Sequence, residues 1–145
     1  MTTRIRKVAV LGAGVMGSGI AAHLANSGVR ALLLDIVPPQ AAPGEDTASK
    51  AFRNKFSQGA IANLRKAKPS PIVSEQVLAA IEVGNLEDDL ARLGECDWII
   101  EVVKEDLAVK QALFAKVEKH ARKDAIISSN TSGLSIEGML EGRSA

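Results

Sequence analysis

Apolar residues along this chain fall into two kinds of run. Short unbroken ones, "VAVL", "ALLL" and "WII", stop abruptly at glycine or charged positions, whereas longer ones repeat at helical spacing. The first kind reads as strands buried on both faces, the second as helices laid across them. Lys7–Leu11 is therefore predicted as a strand, and Val15–Ser27 as a helix carrying Met16, Ile20 and Leu24 on one stripe with Ala21 and Ala25 beside it. Ala31–Val37 is a second strand. Gly28 stands where a helix needs a C-terminal cap, and Pro38-Pro39 closes the strand that follows. Residues 38–46 hold three prolines and a glycine and read as a loop.

The period then lengthens. Across Ala48–Lys68, Phe52, Phe56, Ala60 and Leu64 recur at spacing four while lysines and arginines cover the other faces. Pro69 and Pro71 end this amphipathic stretch, and Ser74–Ala80 is predicted as a second helix returning. Ile81–Val83 is a short strand, Trp98–Val103 a clear one after the turn-like "GECD", and Ala125–Ser128 the last, running into "SNTSG". Between the last two strands lies a helix, Asp106–Ala121, with acids at its start and Lys116, Lys119 and His120 near its end, which complements the helix dipole. Strands alternating with helices predict an α/β domain with a doubly wound parallel sheet and a helical insertion after the second strand.

Length and charge narrow the classes. A chain of 145 residues with 46% hydrophobic content suits one soluble globular domain, here read as 1–145. A net charge of +1 gives no field for nucleic acid or a membrane surface, and no apolar run is long enough for a membrane span. The single cysteine, Cys96, excludes an internal disulfide and a multi-cysteine metal site, so no metal is expected. It reads as a small half-buried residue at the start of a strand. Arg4, Arg6 and Lys7 precede an apolar segment in the manner of a signal peptide, but Gly12 and Gly14 break that segment, so a cytoplasmic protein is expected.

The chemistry begins at the first strand's end. Gly12, Gly14 and Gly17 form a G-x-G-x-x-G between strand and helix, and the second strand ends on Asp35. That is the context in which the motif binds a dinucleotide in a Rossmann-like fold. Gly12 permits the tight turn, Gly14 lets a pyrophosphate approach the backbone, and Gly17 lets the helix lie close to the strand. The N–H groups at the helix start, at Val15 and Met16, are aimed at the phosphates. Asp35 accepts hydrogen bonds from a ribose and repels a 2′-phosphate, which favours NAD over NADP. His23 and His120 lie on helices, away from the strand ends, and read as structural.

Two further strand ends carry polar groups. Glu101 and Glu105 follow a strand and precede Lys110, five positions beyond Glu105; a pair on a solvated surface is the plain alternative to a site. Ser129, Asn130, Thr131 and Ser132 gather at the last strand's end, where an ordinary Ser/Thr or Asx turn competes with a binding role.

Taken together, "GAGVMGSGIA", "DWIIEVVKEDLAVKQALF" and "SSNTSGLSI" resemble the NAD-binding domain of the 3-hydroxyacyl-CoA dehydrogenases over nearly the whole chain, especially the bacterial type fused to an enoyl-CoA hydratase-like region. The resemblance implies oxidation of an L-3-hydroxyacyl-CoA to the ketone in fatty acid β-oxidation, with NAD as acceptor. It implies that Glu105 and Lys110 lie beside the ribose and nicotinamide, that Asn130 approaches the cofactor and that Ser132 bonds the reacting oxygen. It implies a long helical hairpin at 48–68 bordering the CoA site, with Lys66 or Lys68 toward its phosphates; a plain solvated face is the alternative for either lysine. The family's catalytic base is a histidine in an "HFFNP"-like motif about twenty residues after the "SNTS" turn, and the chain ends at Ala145 before such a motif. A multidomain parent or a homodimer formed through later regions is expected, and the chain itself is expected to bind NAD without turnover. Two rivals remain: a β-hydroxyacid dehydrogenase of the 6-phosphogluconate type, which shares the "GxGxMGxxIA" start, and a dinucleotide-binding module without catalysis.

Overall fold

Strands β1 (Lys7–Leu11), β2 (Arg30–Asp35), β3 (Ile81–Asn85), β4 (Trp98–Glu101) and β5 (Ile126–Ser129) pair side by side in the order β3-β2-β1-β4-β5, all parallel. The computed structural model describes residues 4–143; the outermost positions of the expected 1–145 domain lie outside them. The winding reverses between β1 and β4. In an open sheet of this kind the crevice at that reversal, beyond the carboxyl ends of the strands, is where ligands bind.

Side-chain alternation along the strands builds two cores. Ala9, Leu11, Leu32, Leu34 and Ile99 face helix α4 (Leu107–His120), through Leu113 and Val117. Val10, Ala31 and Leu33 face helix α1 (Val15–Asn26) and helix α3 (Lys55–Lys66). Both faces are covered, which is why β1 and the middle of β2 contain no exposed position. At the opposite edge of the sheet the Asp97 carboxylate accepts the N–H groups of Arg6 and Lys7 at 2.7 and 3.0 Å, tying β1 to the start of β4. Among the described residues no helix is long and apolar enough to cross a membrane.

Several elements differ from expectation for identifiable reasons. Helix α1 buries Gly17, Ser18, Ala21, Ala22 and Ala25, while Met16 is 58% exposed and Ile20 and Leu24 are only half-buried. Small side chains let the helix axis approach the sheet, so the smallest face, not the most hydrophobic one, is turned inward. The 48–68 stretch is not one helix: helix α2 (Lys50–Arg53) stops at Asn54, whose side chain accepts the Asn85 amide at 2.8 Å, and α3 begins after it. Phe52, Ala60 and Leu64 are buried as expected, but Phe56 is 43% exposed, and Ser57 goes inward and donates to the Gly84 carbonyl. The returning segment is a short 3-10 helix, Glu75–Ala80, so the long hairpin implied by the resemblance is absent. β3 runs two residues further than predicted, to Asn85. Cys96 is fully buried, not half-buried, and burial pushes its thiol up to about 11, leaving it unreactive at neutral pH.

Candidate functional site

The first strand–helix connection fixes the site. Gly12 has φ +113°, a conformation that L side chains rarely adopt, and a Cβ there would lie 2.5 Å from the Val102 carbonyl oxygen. Gly17 packs on Gly12 so closely that a Cβ would run into the Gly12 carbonyl. Gly14 differs from both: a Cβ there would meet nothing within 4 Å. It is the N-cap of α1 and provides no side-chain cap. The first N–H groups of a helix have no partner within it, so here they point into open space with the positive end of the dipole behind them. The residues present thus fit a pyrophosphate: two glycines bring backbone to backbone, and the third leaves room for the ligand. Val15 and Met16, the first two residues of α1, are both exposed.

Gly14→Val is expected to keep the parental thermal unfolding midpoint within a few degrees and to weaken NADH binding by at least about tenfold, since the branched side chain fills the phosphate's place. Parental affinity in an isothermal titration would show that the cradle lies elsewhere.

Asp35 stands at the end of β2, half-buried. Its Oδ2 accepts the Ala13 N–H at 2.7 Å and its Oδ1 accepts the Ile36 N–H at 2.6 Å. The carboxylate is therefore locked to the glycine loop, while each oxygen keeps a free lone pair for a further donor. Beside it opens a cleft of about 510 Å³ lined by Gly12, Gly14, Asp35, Leu86, Val103, Val109 and Leu113, with Lys104 and Lys116 at its wall. A flat apolar slot next to a fixed carboxylate suits a nucleoside. Its hydrophobic walls, scattered over the exits of β3 and β4 and over α4, do not stand out in the sequence.

The two glutamates after β4 part company. Glu101 is the last residue of that strand, level with Leu11 of β1 and Ser129 of β5, and it is fully buried. Lys110, in the first turn of α4, is fully buried too, with its ammonium 2.9 and 3.0 Å from the two Glu101 oxygens and 3.1 Å from Glu105. The solvated surface pair of the plain reading is thus corrected. α4 is capped by Asp106, which accepts the Val109 N–H, and that cap turns Lys110 into the core. Glu105 stays partly exposed and reaches across to β5's exit, accepting the Thr131 hydroxyl and the N–H groups of Ser132 and Gly133, the last two at 3.3 and 3.1 Å. Thr131 in turn accepts the Leu134 N–H at 3.2 Å, and Ser135 caps the short helix α5 (Ile136–Leu140). The 130–133 turn is therefore both a Ser/Thr turn and part of the strand-end cluster. Asn130 and Ser132 lie exposed on it. His23 and His120 fall in the last turns of α1 and α4, at the far edge of the sheet.

The Thr131 hydroxyl first, then the Gly133 N–H and Lys110, hold the Glu105 carboxyl down at about 2, below its ordinary 4.5. Because the folded value is the lower one, this group supports the fold fully above about pH 4.5 and loses that contribution as the pH falls toward 2. Glu105→Gln is expected to flatten the decline in denaturant midpoint over that window; parallel curves for parent and variant would break the link.

Residues 7–144 match the family described as "3-hydroxyacyl-CoA dehydrogenase, NAD binding domain". A probable 3-hydroxyacyl-CoA dehydrogenase of Bacillus subtilis is 52% identical over 99% of this chain and 19% of its own length. A putative fatty acid oxidation complex trifunctional enzyme of Rickettsia felis is 43% identical over 97% of this chain and 18% of its own. The solved structure of an (S)-3-hydroxybutyryl-CoA dehydrogenase from Ralstonia eutropha superposes with a TM-score of 0.72 at 26% identity, over 97% of this chain and 46% of that one. The chain thus spans about a fifth of the length of these two curated relatives.

Proposed function

The chain belongs to the NAD-binding domain family of the 3-hydroxyacyl-CoA dehydrogenases, and from that premise we propose that it holds NAD for oxidation of the 3-hydroxyl of an acyl-CoA to a ketone in fatty acid oxidation. The observation that carries this reading is the joined pair of glycine cradle and Asp35. One offers unpaired N–H groups and open space to a pyrophosphate, and the other offers a fixed carboxylate to a ribose. Bound NAD would supply the hydride acceptor. On this reading Gly14, Val15 and Met16 meet the phosphates, Gly12 and Gly17 shape the turn that lets them do so, and Asp35 takes the adenosine ribose. Glu105 and Asn130 border the nicotinamide end with Lys110 buried behind Glu105, and Ser132, exposed on the turn, donates to the substrate oxygen. Lys66 or Lys68, exposed at and just after the end of α3, is read as meeting CoA phosphates, with a plain solvated face as the alternative. The whole protein is read as a cytoplasmic, multidomain or dimeric enzyme of which this chain is the cofactor-binding part.

The test is calorimetric titration of the chain with NADH and NADPH. A charge-assisted hydrogen bond from a ribose hydroxyl contributes about 1.5–3 kcal/mol. Asp35→Ala is therefore expected to weaken NADH binding by about ten- to a hundredfold and to leave NADPH binding unchanged or tighter, because the carboxylate that repels the 2′-phosphate is gone. Equal affinity of the parent for the two cofactors would sink the reading of Asp35.

A further inference from the structure

The series Glu101–Lys110–Glu105 runs from the middle of the protein to its surface in two links. Glu101 is held from three elements at once. It accepts the Val103 N–H at 2.7 Å from its own strand's exit, both contacts of Lys110 from α4, and the Ser129 hydroxyl from β5. The Asn130 N–H also donates to the Glu101 carbonyl at 2.8 Å, so backbone and side chain of one residue fix the start of the turn. Lys110 hands the constraint on: its ammonium bridges to the outer carboxylate of Glu105. Glu105 uses its other oxygen to grip Thr131, Ser132 and Gly133.

A buried ion pair is weak evidence for stability, because well-packed apolar residues of similar volume commonly serve as well or better. What apolar residues could not do is carry a directional constraint from a strand end to an exposed turn. We propose that Glu101 is a positioning residue of the cofactor site: through the buried ammonium of Lys110 it fixes Glu105, and with it the 130–133 turn that bears Asn130 and Ser132. The proposal rests on the cofactor reading above, since it gives that turn its ligand. Without the Glu101 charge the ammonium loses its inner partner. It is then drawn outward with Glu105, and the turn loses its acceptor.

Amide exchange and NADH titration on the full chain test this together. Glu101→Gln is expected to speed exchange at Ser132 and Gly133 by about tenfold or more relative to amides of β1 and β2, and to raise the NADH dissociation constant by about the same factor. Glu101→Asp, which keeps the buried charge but draws it back from the Lys110 ammonium, is expected to fold and to show the same two changes in smaller measure; it decides the matter if the glutamine variant does not fold. Unchanged exchange at 132–133, or acceleration shared equally with β1 and β2, would overturn the proposal. So would a loosened turn with parental NADH affinity, which would leave the cofactor reading standing. A parent chain that binds no NADH would instead overturn the cofactor reading, and this role of Glu101 with it.

Discussion

Replacing Gly17 by valine is expected to leave the chain unfolded, and replacing it by alanine to lower its stability by at least about 3 kcal/mol. Alanine inside a helix ordinarily gains about 1 kcal/mol over glycine, so the predicted loss runs against local propensity. Its source is tertiary. A Cβ at position 17 would drive into the carbonyl of Gly12 and lie 2.9 Å from that carbonyl carbon. Gly12 cannot retreat, because its N–H donates to the Leu34 carbonyl at 2.7 Å and its other side is closed by Val102. The neighbouring Gly19, on the same helix, would meet nothing within 4 Å and serves as the control: Gly19→Ala should be neutral or stabilising. Urea unfolding of the three chains measures this. A Gly17→Ala chain as stable as Gly19→Ala would mean that α1 does not lie as close to β1 as described.

This contact was legible in advance because it is local. Gly12, Gly14, Gly17 and Asp35 lie within one strand–helix–strand unit, where spacing translates directly into geometry, and the family match along 7–144 agrees with that unit rather than with the 6-phosphogluconate-type alternative. Glu101 and Lys110 were legible as polar groups at a strand end, but their buried pairing was not. They sit nine positions apart across a loop, and only the register of β4 against β1 and β5 shows that position 101 points into the protein. A carboxylate closing an otherwise apolar strand was the available signal. Helical periodicity misled for a related reason. It ranks faces by hydrophobicity, and α1 is placed by the size of Gly17, Ala21, Ala22 and Ala25. The stripe through Phe56 failed because Asn54 interrupts the helix and rotates the frame, an interruption set by Asn85 on a distant strand.

The chain, purified as these 145 residues, is expected to bind NADH and yet leave 3-hydroxybutyryl-CoA unoxidised. Removing hydride from a secondary alcohol requires a base within hydrogen-bond reach of the hydroxyl and with an affinity for protons suited to neutral pH. No group at the described strand ends meets both conditions. Glu101 is fully buried and spends its oxygens on Val103, Lys110 and Ser129. Glu105 is held near 2, so it is a feeble base at neutral pH. Ser132 is exposed but is a hydroxyl, able to donate to the substrate oxygen and far too weak a base to take up the alcohol's proton. His23 lies eight residues beyond the start of α1 and His120 thirteen beyond the start of α4. At 1.5 Å per residue these are separations of roughly 12 and 20 Å from the helix ends that border the crevice. Positioned acid–base catalysis contributes about 10²–10⁴-fold, and loss of the orientation of two reactants removes further powers of ten. Together they put the rate below detection in an assay of NADH absorbance. Robust NADH production by this chain would place the base among the residues described here and would require the roles of Glu105 and Ser132 to be redrawn.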